Sequence, residues 1–435
     1  MKSHFVVDKY LERHAEREIV GLKAFTFQYS HVVTIPAFDE EDKIWQVLDS
    51  IQQKSTLAIL VINAQANSAI SSIEANIRLI KTLHRQHCEI WRSTHHQGIS
   101  LHQTKTCAVL LIDRTSGNLL LPPKTGVGLA RKIAADVALQ LIVQGSIRTP
   151  WIHCTDADTL LPNDYFKRTL PITDAAAAIY PYSHILTYDN SPQQKAIQLY
   201  ELSLRHYVIG LHHAGSKYAF SSIGSTIAIN YIAYAKVHGF PIREAGEDFY
   251  ILNKLAKVGA VKQLAGLPII IEGRLSHRVP FGTGKAIHDI AQLRKPLEEY
   301  CYYHPTIFDI LKTWLGILNN ITPKTAIPNL KNSLSQSEST FALCEALDKI
   351  GAFSAIDQAI NNASNAATCR QHLHIWFDGF RTMKLVHQLR NDGLSSIPLA
   401  KLIREPLYQC LGLNSLPPIE QLCDQFNKLQ TSFGE

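Results

Sequence analysis

Apolar residues along this chain fall into two kinds of run. In the first, aliphatic and β-branched residues follow one another almost without interruption: YSHVVTIPAF (29–38), LAILVINA (57–64), CAVLLIDR (107–114) and WIHC (151–154). In the second they recur three and four positions apart. Ile44, Val47, Leu48 and Ile51 do so within 38–53, and Leu129, Ile133, Val137 and Leu141 within 126–143; residues 68–86 read as a further helix. The first kind predicts strands and the second amphipathic helices. Strands that are continuously apolar rather than alternating are buried on both faces, so the order strand, helix, strand, helix predicts a mainly parallel sheet flanked by helices. Pro36 is expected to stop the first strand, and residues 1–24 read as a short amphipathic helix.

After Pro162 the pattern is mixed. AAAAIYPYS predicts a strand, QQKAIQLYELSLRHYVIGLHH a long helix, and FSSIGSTIAI a Gly/Ser-rich loop entering a strand. EDFYILNKLAKVG predicts a helix, and PIIIEGRLSHRVPFGTGKA a strand leading into a glycine-rich loop. From about residue 290 the chain reads as helical, with polar stretches at 329–340 and 361–369 as connecting loops. The boundaries predicted are an N-terminal helical arm (1–29), an α/β domain (30–290) and an α-helical C-terminal region (291–435). No internal repeat is present.

With 46% apolar and 18% charged residues, the chain can bury a sizeable core. The net charge of +6 is spread without a Lys/Arg block, which argues against a nucleic-acid partner and leaves peripheral membrane contact open. The eight cysteines are scattered, with no CxxC pair, as expected in a reducing compartment. The charged amino terminus is unlike a signal peptide, and no apolar run has a transmembrane length. The expected location is cytoplasmic.

TDADT, at the end of the WIHC run, raises the chemistry. Asp156 and Asp158 are one residue apart, and two such anions repel unless a cation lies between them. Two readings follow: a polar turn in which Asp158 or Thr159 caps a helix, or a metal site at a strand end. Open parallel sheets bind ligands outside the carboxyl ends of their strands, which favours the metal site. Carboxylates, diphosphate oxygens and water suit Mg²⁺ or Mn²⁺.

The order of segments over roughly residues 30–285 resembles the nucleotide-sugar-dependent glycosyltransferases of the GT-A (Rossmann-like) fold, especially family 2. TIPAFDEEDKIWQVLDSI matches their opening strand and helix, KTGVGLARKIAADVAL the basic segment before the metal site, and TDADT their DxD motif. GSTIAINYIAYAKVHGF followed by GEDFYILNKLAKVGA matches the acceptor loop and the Glu-Asp motif that carries the general base. Where the family ends its second strand with an aspartate that reads uracil, this chain has Asn63, so the donor is expected to be of UDP or GDP type.

The resemblance implies donor contacts from Pro36, Ala37, Glu40, Asn63, Lys124, Arg131, Asp156 and Arg278. It implies a divalent ion on Asp156 and Asp158, with His277 as a third ligand, and an acceptor side formed by Ser222, Gly224 and Ser225. Glu201, Arg205 and His206 are further acceptor-side candidates. Arg278 and the loop 281–284 are expected to close over the diphosphate. Asp248 would be the general base of an inverting transfer, kept ionised by its helix amino end, while Glu247 contacts the acceptor or orients a neighbour. TGVGLARKIA and Tyr250-x-x-x-Lys254 also suggest a dinucleotide-dependent dehydrogenase. A Rossmann fingerprint follows its strand at once, however, and here Pro122, Pro123 and Lys124 intervene. The reading is therefore a metal-dependent glycosyltransferase with an unknown hydroxyl acceptor. A retaining transferase acting on a small phosphorylated acid and a non-catalytic nucleotide-sugar-binding scaffold are the alternatives. The C-terminal helices are expected to pack on the core or to mediate assembly.

Overall fold

The computed structural model describes residues 2–22, 24–185, 192–273, 283–336, 338–413 and 415–432. The chain divides into two compact units, one of residues 1–189 and 222–286, the other of residues 190–221 and 287–433.

The first unit is built on a nine-stranded mixed sheet. Its strands are β1 (His31–Ala37), β2 (Thr56–Asn63), β3 (Cys88–Arg92), β4 (Ile99–Gln103), β5 (Ala108–Arg114) and β6 (Trp151–Cys154), then β8 (Ala175–Ile179), β10 (Ile227–Asn230) and β11 (Ala260–Gln263). The spatial order is β11-β8-β10-β6-β1-β2-β5-β4-β3. The centre, β6-β1-β2-β5, is parallel. Every residue of β1, β2 and β5 is buried, as their unbroken apolar runs predict. A smaller sheet joins β7 (Thr159–Leu160), β12 (Ile269–Glu272) and β9 (Tyr182–Ile185).

Helices α1 (Lys2–Arg13), α2 (Ile44–Ser50), α3 (Ile70–Gln86) and α4 (Gly126–Val143) belong to this unit. Helix α4 is buried on nearly every side, and its charged residues are paired. Asp136 accepts from Tyr10 Oη (2.6 Å), Tyr234 Oη (2.7 Å) and Lys132 Nζ (2.7 Å), which ties α1 to the core.

Four details differ from the hydrophobic reading. The first strand runs through Pro36 to Ala37. Its pairing with β6 involves only Val32–Thr34, so on that side no partner strand meets Pro36, which has no amide proton to give. Strands β3 and β4 fill a stretch where no strand is expected; β3 is an edge, exposed and rich in charge. Residues 329–340 are largely helical, lying in the helices Ile327–Leu334 and Glu338–Lys349. The 361–369 loop shrinks to a few residues, with Asn365 capping the next helix through Thr368 N.

The second unit is helical apart from a short antiparallel pair, Cys301–Tyr302 with Ile397–Pro398. Its core gathers Phe308, Leu311, Trp314, Leu343, Phe353 and Leu385. Helix α5 (Pro192–His213) belongs to it and packs on the helix Ile419–Thr431, with Arg205 Nη1 donating to Asn427 Oδ1 (2.8 Å). Among the described residues, no helix is long and apolar enough to cross a membrane.

Candidate functional site

The chain enters the sheet at β1, moves through β2 to β5, and then returns to place β6 on the other side of β1. That reversal opens a crevice at the carboxyl ends of β1 and β6. A cavity of about 570 Å³ lies there, a size suited to a small ligand. Its lining includes Pro36 and Phe38 after β1, Asn63 and Gln65 after β2, Asp156 and Asp158 after β6, and Gly126, Val127 and Arg131 of α4. Glu40, Ser225 and Glu247 complete the set that the sequence singles out.

The acidic pair is held by strands rather than by a helix. Thr155 N donates to Thr34 O (3.0 Å), and β7 follows at once, pairing antiparallel with β12. The Asp158 carbonyl accepts from Glu272 N (3.1 Å). The helix-cap reading of TDADT therefore has no helix to cap.

Arg131 joins the separate parts of the wall. Its Nη2 donates to Asp156 Oδ1 (2.5 Å) and its Nε to Glu247 Oε1 (2.8 Å). Burial disfavours the guanidinium charge, but Asp156 and Glu247 outweigh this and keep the group cationic. Its Nη1 and Ser225 Oγ are both buried without a hydrogen-bond partner. Buried polar atoms rarely stay unpaired, so these two mark where a polar ligand or water would dock. A Cβ at Gly224 would run into the Arg131 guanidinium, which gives the glycine a steric reason.

Gly126 and Gly128 have steric reasons too. A Cβ at Gly128 would lie 2.6 Å from backbone atoms of Pro241 and Arg243, and one at Gly126 would lie 2.6 Å from Glu244 Cα. The glycines thus let the 241–244 segment press against the first turn of α4, and Gly128 N donates to Arg243 O (3.1 Å). That segment leads directly into helix α7 (Glu247–Leu255), whose first two residues are the Glu-Asp pair.

Glu247 is 4% exposed and faces the cavity; Asp248 is half-buried and does not line it. Asp248 Oδ1 accepts from Phe249 N (2.7 Å). Burial, followed by the Glu247 charge, raises Asp248 to about 7 against the lowering effect of Arg131. The expected ionisation by the helix amino end is therefore corrected: desolvation and a neighbouring anion exceed the dipole.

Asn63 donates its amide nitrogen to Ala37 O (3.0 Å) and Val61 O (3.3 Å), leaving its side-chain oxygen as the group to offer a base. Ala37 is buried beneath the wall, and Lys124 is exposed outside the lining, its amide bonded to Gln65 Oε1 (2.8 Å). Ser222 and Gly224 stand next to the lining residues Ile223 and Ser225 without lining it themselves. Arg274, His277, Arg278, Phe281 and Gly282 lie outside the described residues. Glu201, Arg205 and His206 lie in the second unit and make contacts within it. Arg205 Nη2 donates to Glu201 Oε1 (2.6 Å), and His206 bonds Tyr408 Oη (2.5 Å) and Tyr303 O (2.8 Å).

Sequence reading missed His184, Gln65, Ser68, Glu244 and Glu272, all on the cavity wall. Glu272 is ion-paired with Lys43. His184 and Glu272 enter only because β9 pairs with β12, a long-range event that no local pattern announces.

Asp156 and Asp158 offer oxygen ligands, one oxygen of Asp156 being taken by Arg131. The pair fits a hard divalent cation if phosphate oxygens and water complete the shell. No third His, Cys, Asp or Glu joins it at ligand spacing among the described residues.

No protein-family model matches this chain, and no curated protein matches it. Among solved structures it is similar to the crystal structure of S. aureus TarS 1-349, with a TM-score of 0.36 and 10% identity, covering 84% of this chain and 92% of that chain. A likeness this distant leaves the functional reading to the site itself.

Proposed function

We propose that this chain is a glycosyltransferase that moves a sugar from a nucleoside-diphosphate donor to a hydroxyl acceptor, with Mg²⁺ or Mn²⁺ held by Asp156 and Asp158. One coincidence carries this reading. At the switch point of the sheet, a single cavity collects an acidic pair, a buried arginine with an unpaired nitrogen, and the carboxylate that opens α7. Each feature alone has an ordinary structural explanation; converging on one cavity, they match what transfer from a diphosphate leaving group requires.

The roles follow from the chemistry. The Asn63 oxygen would accept from a ring N–H of the base, an arrangement open to uracil and guanine alike. Arg131 Nη1 would donate to the diphosphate, since guanidinium groups favour phosphate oxygens. The divalent ion, when bound, supplies Lewis-acid stabilisation of the leaving group. The Glu247/Asp248 pair, next to Arg131, would take the acceptor proton. Asp248, drawn up to about 7, is the member whose affinity for a proton suits a base working at neutral pH. Inversion at the anomeric carbon is the stereochemistry proposed.

Titration of UDP- and GDP-sugars with and without Mn²⁺, in wild type and Asp158→Asn, tests the reading. Metal-dependent binding with slow donor hydrolysis, lost in Asp158→Asn, is the expected result. Metal-independent binding without hydrolysis would favour a non-catalytic nucleotide-sugar scaffold. No binding of either donor class would refute the proposal.

A further inference from the structure

At the far edge of the large sheet, three side chains meet that play no part in the cavity. His84 lies in the last turn of α3, Glu89 on the edge strand β3 and His102 on β4. Glu89 and His102 are directly paired across the two strands, so their side chains share a face. The His84 and His102 rings stand 4.7 Å apart, tilted at 72°. His84 Nδ1 lies 3.3 Å from Glu89 Oε2. One ring nitrogen from each histidine and one Glu89 oxygen all fall within 4.8 Å of one another.

We propose that His84, Glu89 and His102 form a transition-metal site of the zinc type that clips α3 to the β3–β4 edge. Two imidazoles and one carboxylate are a donor set that zinc accepts with a fourth position open to water. The set differs in kind from Asp156 and Asp158, whose oxygens alone suit hard cations. Ligand atoms on a tetrahedral zinc are about 3.3 Å apart, given bonds of about 2.0 Å, so small side-chain rotations would close the shell.

His102 is the anchor. It is fully buried, and Ser100 Oγ holds its Nε2 at 2.8 Å. Glu89 is shared with Arg92 in a two-point pair, in which Nε donates to Oε1 (2.8 Å) and Nη2 to Oε2. That ion pair is half-exposed, and exposed pairs are weak enough to exchange for a metal bond. Cys88 is adjacent in sequence to Glu89, and alternation along the strand turns it to the other face, so it is not one of the ligands.

The test is competition for Zn²⁺ between the full chain and a chromophoric chelator. Wild type should hold one Zn²⁺ that His84→Ala and Glu89→Gln each weaken by more than about tenfold. Cys88→Ser and Asp158→Asn should leave the affinity unchanged, which separates this site from the cavity. Both substituted ligand residues are partly exposed, and an unchanged circular dichroism spectrum would show that the fold survives. Absence of a zinc site in wild type, retention of it in both ligand variants, or its loss in Cys88→Ser would overturn the assignment.

Discussion

Replacing Arg131 with methionine removes the cation that lies between Asp156 and Glu247 and leaves the shape of the side chain roughly filled. The expected cost comes from what remains. The Glu247 side chain is 5% exposed, so its carboxylate cannot turn to water, whereas Asp156 is one-third exposed and can recover part of its hydration. Breaking a buried pair by removing one partner costs about 3–5 kcal/mol. Discounting the Asp156 half for solvent leaves roughly 3–4 kcal/mol, dominated by Glu247. In a unit of this size that lowers the melting temperature by roughly 6–16 °C. Calorimetry of Arg131→Met, Glu247→Gln and the double variant closes the cycle. The double variant should recover at least half of the loss, because the orphaned charge is gone. Acidification should shrink the deficit of the single variant for the same reason. An Arg131→Met protein within about 1 kcal/mol of wild type, or a double variant no more stable than the single one, would refute the view that charge burial governs this site.

Asp248→Asn should keep donor affinity and reduce turnover by roughly 10²- to 10⁴-fold, since a base touches the reaction only in the transition state; near-normal turnover, measured by product formation, would move the role to Glu247. Gly128→Ala should destabilise the first unit by about 1–3 kcal/mol and weaken donor binding, because its methyl group meets backbone that cannot move aside; Gly316→Ala, which meets nothing, is the control in the same melting assay. Stability should fall as the pH drops below about 6.5, since burial holds His153 at about 3 and His206 at about 4 in the folded chain. Both groups have folded values below the unfolded one, so the unfolded state binds the extra protons, at about 2 kcal/mol per histidine by pH 5. A His206→Gln variant should show a shallower pH slope in thermal unfolding, and an unchanged slope would count against the linkage.

What the sequence makes legible is what local chemistry determines. The buried strands β1, β2 and β5 and the helix at 126–143 are visible because most of their side chains are apolar and buried, and period alone describes that. Asp156, Asp158, Arg131 and Glu247 are visible because charged residues at strand and helix ends stand out from an apolar background. The rest depends on pairing across distance. The edge strands β3 and β4 carry glutamate, arginine and histidine, a composition that an edge tolerates and a pattern search discards. The steric reason for Gly126 and Gly128 resides in residues 241–244, more than a hundred positions later. The Asp248 environment is likewise a property of burial plus two neighbours, which no helix-end rule contains.

The insertion of α5 between strands of the first unit has a consequence for how the protein is made. Leu199, Leu202, Val208, Ile209 and Leu211 of α5 are buried, and a neighbour that helps to cover the helix, Ile419–Thr431, is synthesised about 200 residues later. At 5–20 residues per second, α5 leaves the ribosome roughly 10 to 40 seconds before that neighbour exists. During that interval an apolar face lies bare in the middle of a nascent chain whose sheet still lacks β10 and then β11. Losing the Ile419–Thr431 helix would therefore injure an element encoded about 200 residues before it.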